Sequence, residues 1–378
     1  MEIVRNARLV IGNSLVDDGW VAWEDGVIAE VGSTPRPSGT DLGGRLLTAG
    51  LVDMHMHGAM GHSFNSANRE ASSAIVDYHR HSGSTSVVCG ITSDQQPCMI
   101  GSAAAISELI DCSGVLGTFF EGPFLSPIRK GAHRNEDLLP PDAALCRRLL
   151  EACRPGVKMV AIAPELPGGF DLIREARQAG AIPTLGHTDA SFEESRHAFD
   201  LGIVVATHLF NGMRQIHHRD PGPALAALAD ERVTCELIVD GFHLSDRMVE
   251  YVFQTIGSGR VALVTDSSVA TGLGDGVYRH GDVALDVRDG RAMLADGTSL
   301  AGSTLTMARA VRHAVHDAGV PLCDAITAAT ITPARTLGVH GAIGSIEPGK
   351  RADLLVLDTD LSVAGVVAGG SWQVPIHA

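Results

Sequence analysis

The sequence predicts an α/β protein: an eight-stranded β/α barrel of the TIM-like kind, joined to a small β-sandwich domain built from both chain termini. Three observations predict it. Apolar segments of strand length recur eight times between Leu46 and about Pro333, and helical spacing fills most of the intervals. Metal-capable side chains stand at the C-terminal ends of five of those segments, the face on which barrel enzymes carry their chemistry. Residues 1–45 and the stretch beyond Ile343 read instead as short strands and turns. The expected divisions are 1–50 for the first part of the β-sandwich, 51–340 for a metal-dependent barrel and 341–378 for its second part, because chain ends commonly lie close together.

The elements follow in order. Ala7–Ile11 and Gly19–Trp23 are apolar, and Glu24-Asp25-Gly26 turns the chain into Val27–Val31, a hairpin signal. Thr34–Gly39, with two prolines, reads as a loop. The eight strand candidates are Leu46–His57, Ser86–Ile91, Val115–Glu121, Val157–Pro164, Ile182–His187, Ile203–His208, Glu236–Gly241 and Val261–Asp266. Helical spacing marks Ser73–His81, Ala103–Ile110, Ala143–Cys153, Phe170–Ala179, Phe192–Leu201 and Leu244–Ile256. An open doubly wound sheet competes with the barrel, but no Gly-rich dinucleotide fingerprint follows the first strand. Met307–Ala314 and Asp324–Ala329 are helical, and the barrel is expected to end near Pro333. The turn-rich bridge Ile343–Lys350 leads to strands over Ala352–Asp358 and Val363–Val367.

The 378 residues carry a formal net charge of -15, which argues against a nucleic-acid backbone as partner. The N-terminus, Met1–Arg5, lacks the pattern of a secretory signal, and charged residues or glycine interrupt each apolar run before it reaches membrane-span length. The 7 cysteines are scattered and odd in number, with no C-x-x-C pair. Reduced thiols in a cytoplasmic protein fit best, and a metal must then rely on histidine and carboxylate.

His55 and His57 are one residue apart, so on a strand their imidazoles share a side and suit one metal ion. Glu121 follows an apolar strand and suits binding one cation or bridging two. Taken singly, His187 and His208 read equally as polar core histidines; with Glu121 they make a site of two imidazoles and one carboxylate, with room for water. Asp266, at the last strand end, suits a residue that takes a proton from water and returns it to a leaving group; capping a helix is its other reading. His133, Asn211-Gly212-Met213-Arg214, Arg219 and His243 form a set suited to an anion, with Lys130, Arg134, His217 and His218 nearby. No Walker-type loop is present, so the set suits a small phosphorylated substrate without implying a nucleotide.

In Val52–Gly58, Glu121–Phe124 with Gly131-Ala132-His133, Gly186-His187-Thr188, Thr207–Asn211, Asp240–His243, Val264-Thr265-Asp266 and Ile343–Leu354 the chain resembles the N-acetylglucosamine-6-phosphate deacetylases of the amidohydrolase superfamily. The resemblance implies a homodimer and one or two divalent ions such as zinc, iron or manganese. It implies Glu121, His187 and His208 as ligands of a main ion. It implies His55 and His57 at a second ion bridged by Glu121, with Asp266 as general base and acid that also touches that ion. His133 and His243 are implied to contact substrate, with His133 also stabilising the oxyanion. Asn211 and the Gly212 backbone N–H are implied to hold phosphate, and Arg219 to reach the phosphate in the neighbouring subunit. The implied reaction releases acetate from the 2-acetamido group of an amino-sugar 6-phosphate. Gly58–Asn65, Gly212-Met213-Arg214 and Ser93–Gln96 depart from the family's usual forms and leave epimer and acyl preference open. The alternatives are a deacetylase for the galacto epimer, another N-acyl hydrolase such as one acting on N-acyl amino acids, and a binding protein that kept the barrel.

Overall fold

In the computed structural model, which describes residues 1–34, 38–110, 114–153 and 155–376, eight parallel strands pair side by side in sequence order. They are Leu51–Met56, Ser84–Thr92, Val115–Glu121, Val157–Ile162, Ile182–Leu185, Val205–Ala206, Thr234–Ile238 and Val261–Val264. Their residues are nearly all buried, as expected where helices cover one face and barrel side chains fill the other. Helices pack outside, among them Arg69–His81, Ala143–Ala152, Phe192–Leu201 and Met307–His316. Local chemistry sets their ends: Ser191 and Glu194 form a reciprocal capping box, and Gly202 closes the same helix in the left-handed conformation.

The first and eighth strands meet through a side chain rather than a regular ladder. Asp53, fully buried, accepts a hydrogen bond from the Thr265 hydroxyl at Oδ2 (2.6 Å) and from the Thr265 N–H at Oδ1 (3.3 Å). Just beyond it, the Asp266 N–H donates to the His55 carbonyl (2.9 Å), and the His57 N–H donates to that of Ser267 (2.9 Å). Burial pushes the Asp53 carboxyl up to about 6, although bonds from the Thr265 hydroxyl and the His55 and Thr265 N–H groups pull the other way.

Both termini enter a second, mixed sheet. Its path runs Ser371–Val374, Val363–Ala368, Leu354–Leu357, Leu46–Ala49, Glu2–Ile11, Ser14–Glu24 and Val27–Gly32, with Thr40–Asp41 beside Glu2–Ile11. It encloses its own core, including Val4, Leu9, Trp23, Ile28, Leu47, Val356 and Val367. The expected hairpin turns at Asp25 and Gly26, both with positive φ (51° and 78°). Part of the expected loop Thr34–Gly39 falls on 35–37, outside the described residues.

Four differences from the sequence expectation have physical causes. The candidate Leu46–His57 is two strands: Leu46–Ala49 belongs to the mixed sheet and Leu51–Met56 to the barrel. The apolar run hides the break because both pieces are buried. Gly50 marks it, and a Cβ there would come within 2.1 Å of Thr85 Oγ1. Helix Gly222–Ala229 was not foreseen, because Gly222-Pro223-Ala224-Leu225-Ala226-Ala227-Leu228-Ala229 has no polar face to reveal its period. A three-stranded antiparallel sheet, Gly276–His280, Val283–Arg288 and Arg291–Leu294, fills the interval after the last barrel strand and was also not foreseen. Finally, Pro333 lies within helix Ile331–Thr336, in a first turn whose amides need no helical acceptor.

Among the described residues, no helix is long and apolar enough to cross a membrane. Cys89, Cys98, Cys146, Cys153, Cys235 and Cys323 are free thiols, and Cys112 lies outside the described residues.

The seam yields a stability test. Thr265→Val keeps the shape and leaves Asp53 Oδ2 without its donor in a buried site. It is expected to lower the unfolding free energy by about 1–3 kcal/mol, read as an earlier midpoint in chemical denaturation of metal-free protein. An unchanged midpoint would remove Thr265 from the seam's energetics.

Candidate metal centre and active site

The ends of the barrel strands converge on Glu121. Its Oε1 lies 2.9 Å from His208 Nε2, 3.1 Å from His187 Nε2 and 3.6 Å from His55 Nε2. Its Oε2 lies 3.1 Å from His57 Nε2 and 3.4 Å from His133 Nε2. Asp266 Oδ1 faces the same group, 3.3 Å from His57 Nε2 and 3.6 Å from His55 Nε2. All seven residues are buried. His187, His208 and Asp266 have left-handed backbones, with φ of 46°, 32° and 47°. Such conformations cost energy in non-glycine residues and cluster at functional sites. Here they turn the side chains inward just past their strands.

The outer hydrogen bonds reveal what the centre is built for. The Nδ1–H groups of His57, His187 and His208 donate to the carbonyls of Gly90 (3.0 Å), Arg129 (2.8 Å) and Asn211 (3.1 Å). His55 Nδ1 donates to Glu236 Oε2 (2.9 Å). Those bonds hold a proton on each Nδ1, so that Nε2 is the atom each ring can offer to a cation. Yet His55 and His57 bring their Nε2 atoms to 2.9 Å, and His187 and His208 to 3.1 Å. Facing nitrogens at that distance need a proton or a metal cation between them. The donor set, imidazole nitrogen with carboxylate oxygen, suits a divalent transition ion. Two groups of donors, His55/His57/Asp266 and Glu121/His133/His187, each gather ligand atoms within 4.8 Å, consistent with a two-ion centre.

Distance alone therefore admits His133 beside Glu121 and His187 as readily as His208. Hydrogen bonding separates them. The Ser93 N–H points at His133 Nδ1 (3.4 Å), and the Ser93 hydroxyl is 3.0 Å from it. Nδ1 is then an acceptor, and His133 presents an N–H at Nε2 instead of a lone pair. His208 Nε2, with its lone pair, contacts both Glu121 and His187.

Without a metal ion, protons on these rings balance the carboxylates. Burial would lower His55 and His57, but nearby carboxylates prevail. Glu236 leads in raising His55 to about 9, and Glu121 leads in raising His57 well above its ordinary value. Burial would raise Glu121, but the His57 charge and bonds from His133, His187 and His208 hold it well below the carboxylate range. Asp266 is likewise pulled down to about 2, against burial, by the His57 hydrogen bond and the His55 and His57 charges.

A pocket of about 260 Å³ opens over the centre. His133, His243, Asn211 and Gly212 line it. His243 Nδ1 donates to Asp240 Oδ2 (2.7 Å), fixing its ring. Gly212 must be glycine: its φ is 60°, and a Cβ would come within 2.8 Å of His187 Nδ1. The unforeseen sheet supplies His280, Val283 and Leu285 to the wall, and its turn residue Asp282 pairs with Arg134 across the mouth (2.6 Å). Arg219 is exposed and does not line the pocket of its own chain; its Nη1 lies 2.7 Å from His218 Nε2. Arg214 is held by Asp189 and Asp220, and Lys130 by the His133 carbonyl.

Sequence reasoning missed Glu236, Asp53 and His280. A lone glutamate in the buried strand Thr234–Ile238 was the available signal for Glu236. His280 had none, since its hairpin was not recognised.

The amidohydrolase family model matches residues 46–372. An N-acetylgalactosamine-6-phosphate deacetylase of Escherichia coli O157:H7 is 33% identical over 365 residues, covering 96% of each chain. An N-acetylglucosamine-6-phosphate deacetylase of Bacillus subtilis is 32% identical over 383 residues, covering 98% of this chain and 96% of the other. The Mycobacterium smegmatis N-acetyl-D-glucosamine-6-phosphate deacetylase, solved as an aspartate-to-alanine mutant with N-acetyl-D-glucosamine-6-phosphate, superposes with a TM-score of 0.94 at 37% identity, covering 99% of each chain. With this family match over most of its length, and with the histidines and carboxylates gathered at its barrel strand ends, the chain belongs to the amidohydrolase family.

Proposed function

We propose that this protein hydrolyses the acetamido group of N-acetyl-D-glucosamine 6-phosphate, giving D-glucosamine 6-phosphate and acetate. One observation carries the reaction class: four imidazoles, each tied through Nδ1–H to an acceptor, turn their Nε2 atoms toward one another and toward Glu121. The substrate class rests on the similarity to amino-sugar-phosphate deacetylases over almost the entire chain.

In this reading Glu121, His187 and His208 would hold the main divalent ion. His55 and His57, with Asp266, would hold a second, with Glu121 between the two sites. When bound, such ions polarise the amide carbonyl and make water nucleophilic near neutral pH. The residues of the chain do the rest. The Asp266 carboxylate takes the proton of the attacking water and hands it to the departing nitrogen as the C–N bond breaks. His133 donates its Nε2–H to the developing oxyanion. His243, oriented by Asp240, holds a sugar hydroxyl. Asn211 and the Gly212 N–H bind the phosphate.

Arg219 completes the phosphate site in a neighbouring copy, which accounts for its exposure and its distance from its own pocket. The working form is then a homodimer. Free thiols and a sugar-phosphate substrate support a cytoplasmic setting. The galacto epimer is the second reading, favoured by the Escherichia coli relative, whose identity matches that of the Bacillus subtilis one to within a percentage point.

Three measurements test this. Acetate release should be fastest from N-acetylglucosamine 6-phosphate, slower from its galacto epimer and slowest from the unphosphorylated sugar; a faster galacto epimer would transfer the assignment to the second reading. Asp266→Asn should lower kcat by about 10²–10⁴-fold with the main ion still bound, and near-normal turnover would reject its proton-transfer role. Arg219→Ala should raise KM for the phosphorylated sugar by about 10–100-fold, the scale of a lost charged hydrogen bond. It should leave the unphosphorylated sugar unaffected, and equal effects on both would reject the phosphate assignment.

A further inference from the structure

Glu236 is fully buried in the seventh barrel strand, Thr234–Ile238. One of its oxygens serves both halves of the centre. Oε2 accepts the Nδ1–H of His55 (2.9 Å) and the backbone N–H of His208 (3.1 Å). The other oxygen, Oε1, has no hydrogen-bond partner among the described residues. The remaining histidines facing Glu121 with lone pairs differ in this respect: the Nδ1–H groups of His57, His187 and His208 go to neutral backbone carbonyls. His55 is the one backed by a carboxylate.

This asymmetry needs a cause. A buried carboxylate oxygen without a donor is costly, and two backbone-type acceptors would have served the same N–H groups without charge. A second divalent ion provides the cause. Glu121 and Asp266 are the carboxylates that face the histidine Nε2 atoms, so two buried dications would leave a large positive excess. A carboxylate behind His55 offsets part of that excess through the ring. It also makes the imidazole a stronger donor and fixes its orientation.

We propose that Glu236 is the positioning residue that makes the His55/His57 position a metal site: it aims the His55 ring and supplies negative charge that a second buried cation requires. Its bond to the His208 backbone keeps that ring in register with the main site. The inference rests on the reading that His55, His57 and Asp266 take a second ion.

The test is stepwise titration of metal-free protein with zinc, followed by elemental analysis after dialysis. Glu236→Gln keeps an oxygen for both N–H donors and removes the charge. Wild-type protein should bind two equivalents. E236Q should bind the first with little change and the second about 10–100-fold more weakly, while its metal-free thermal midpoint stays near that of wild type. Two equivalents at unchanged affinity in E236Q would overturn the proposal and leave the two-ion reading intact. Equal weakening of both equivalents would also overturn it, because Glu236 would then serve the whole fold. A single equivalent in wild type would overturn the two-ion reading itself, and the proposal with it. Should E236Q fail to fold, Glu236→Asp and Glu236→Asn form a matched pair of equal length. The charged variant should retain the second ion more tightly by about 10-fold or more, and equal affinities would reject the role of charge.

Discussion

The constraint that organises the molecule is the need to keep charge buried around Glu121. Five imidazoles stand within 3.6 Å of its two oxygens, and Asp266 stands behind two of them. No single element could assemble such a group. The donors come from the first, third, fifth, sixth and eighth strand ends and from the loop after the third, so the barrel has to be closed before the cluster exists. Every charge in such a buried cluster carries a desolvation cost, which its neighbours offset in part and a bound cation would offset further.

Support for the cluster is distributed in the backbone. Three of its members sit at left-handed positions, and the seam between the first and eighth strands runs through Asp53, Thr265 and the carbonyl of His55. The residues that hold the seam are thus neighbours in sequence of those that face the pocket. Tension at one is felt at the other, which fits a site whose geometry must be kept to fractions of an ångström.

Much of this was legible in the chain itself. Period and polarity at strand ends located His55, His57, Glu121, His187, His208 and Asp266, because a hydrophilic residue closing an apolar run is conspicuous. The hairpin at Asp25-Gly26 was legible because its turn demands residues that tolerate positive φ. What was hidden had no such contrast. Gly50 separates two sheets inside one apolar run, helix Gly222–Ala229 is apolar all round, and His280 stands alone on a short exposed hairpin. Glu236 was visible as a letter, but its meaning depends on His55 and His208, both far away in the chain. Partnerships of that kind are properties of the closed barrel and not of any local pattern.

The three-stranded sheet at Gly276–Leu294 separates two tasks. Catalytic groups reside on the barrel, whereas much of the apolar wall resides on an inserted flap of chain, fastened across the mouth by the exposed pair of Arg134 and Asp282. An exposed pair of this sort contributes little to stability. The flap is held chiefly by burial of Leu285, Val287 and Ala292 against Val269, Ala270 and Ala301, so substitutions at its pocket-facing residues act mainly on which molecules fit. The range of molecules admitted can thus be altered in this one segment without touching a metal-facing residue.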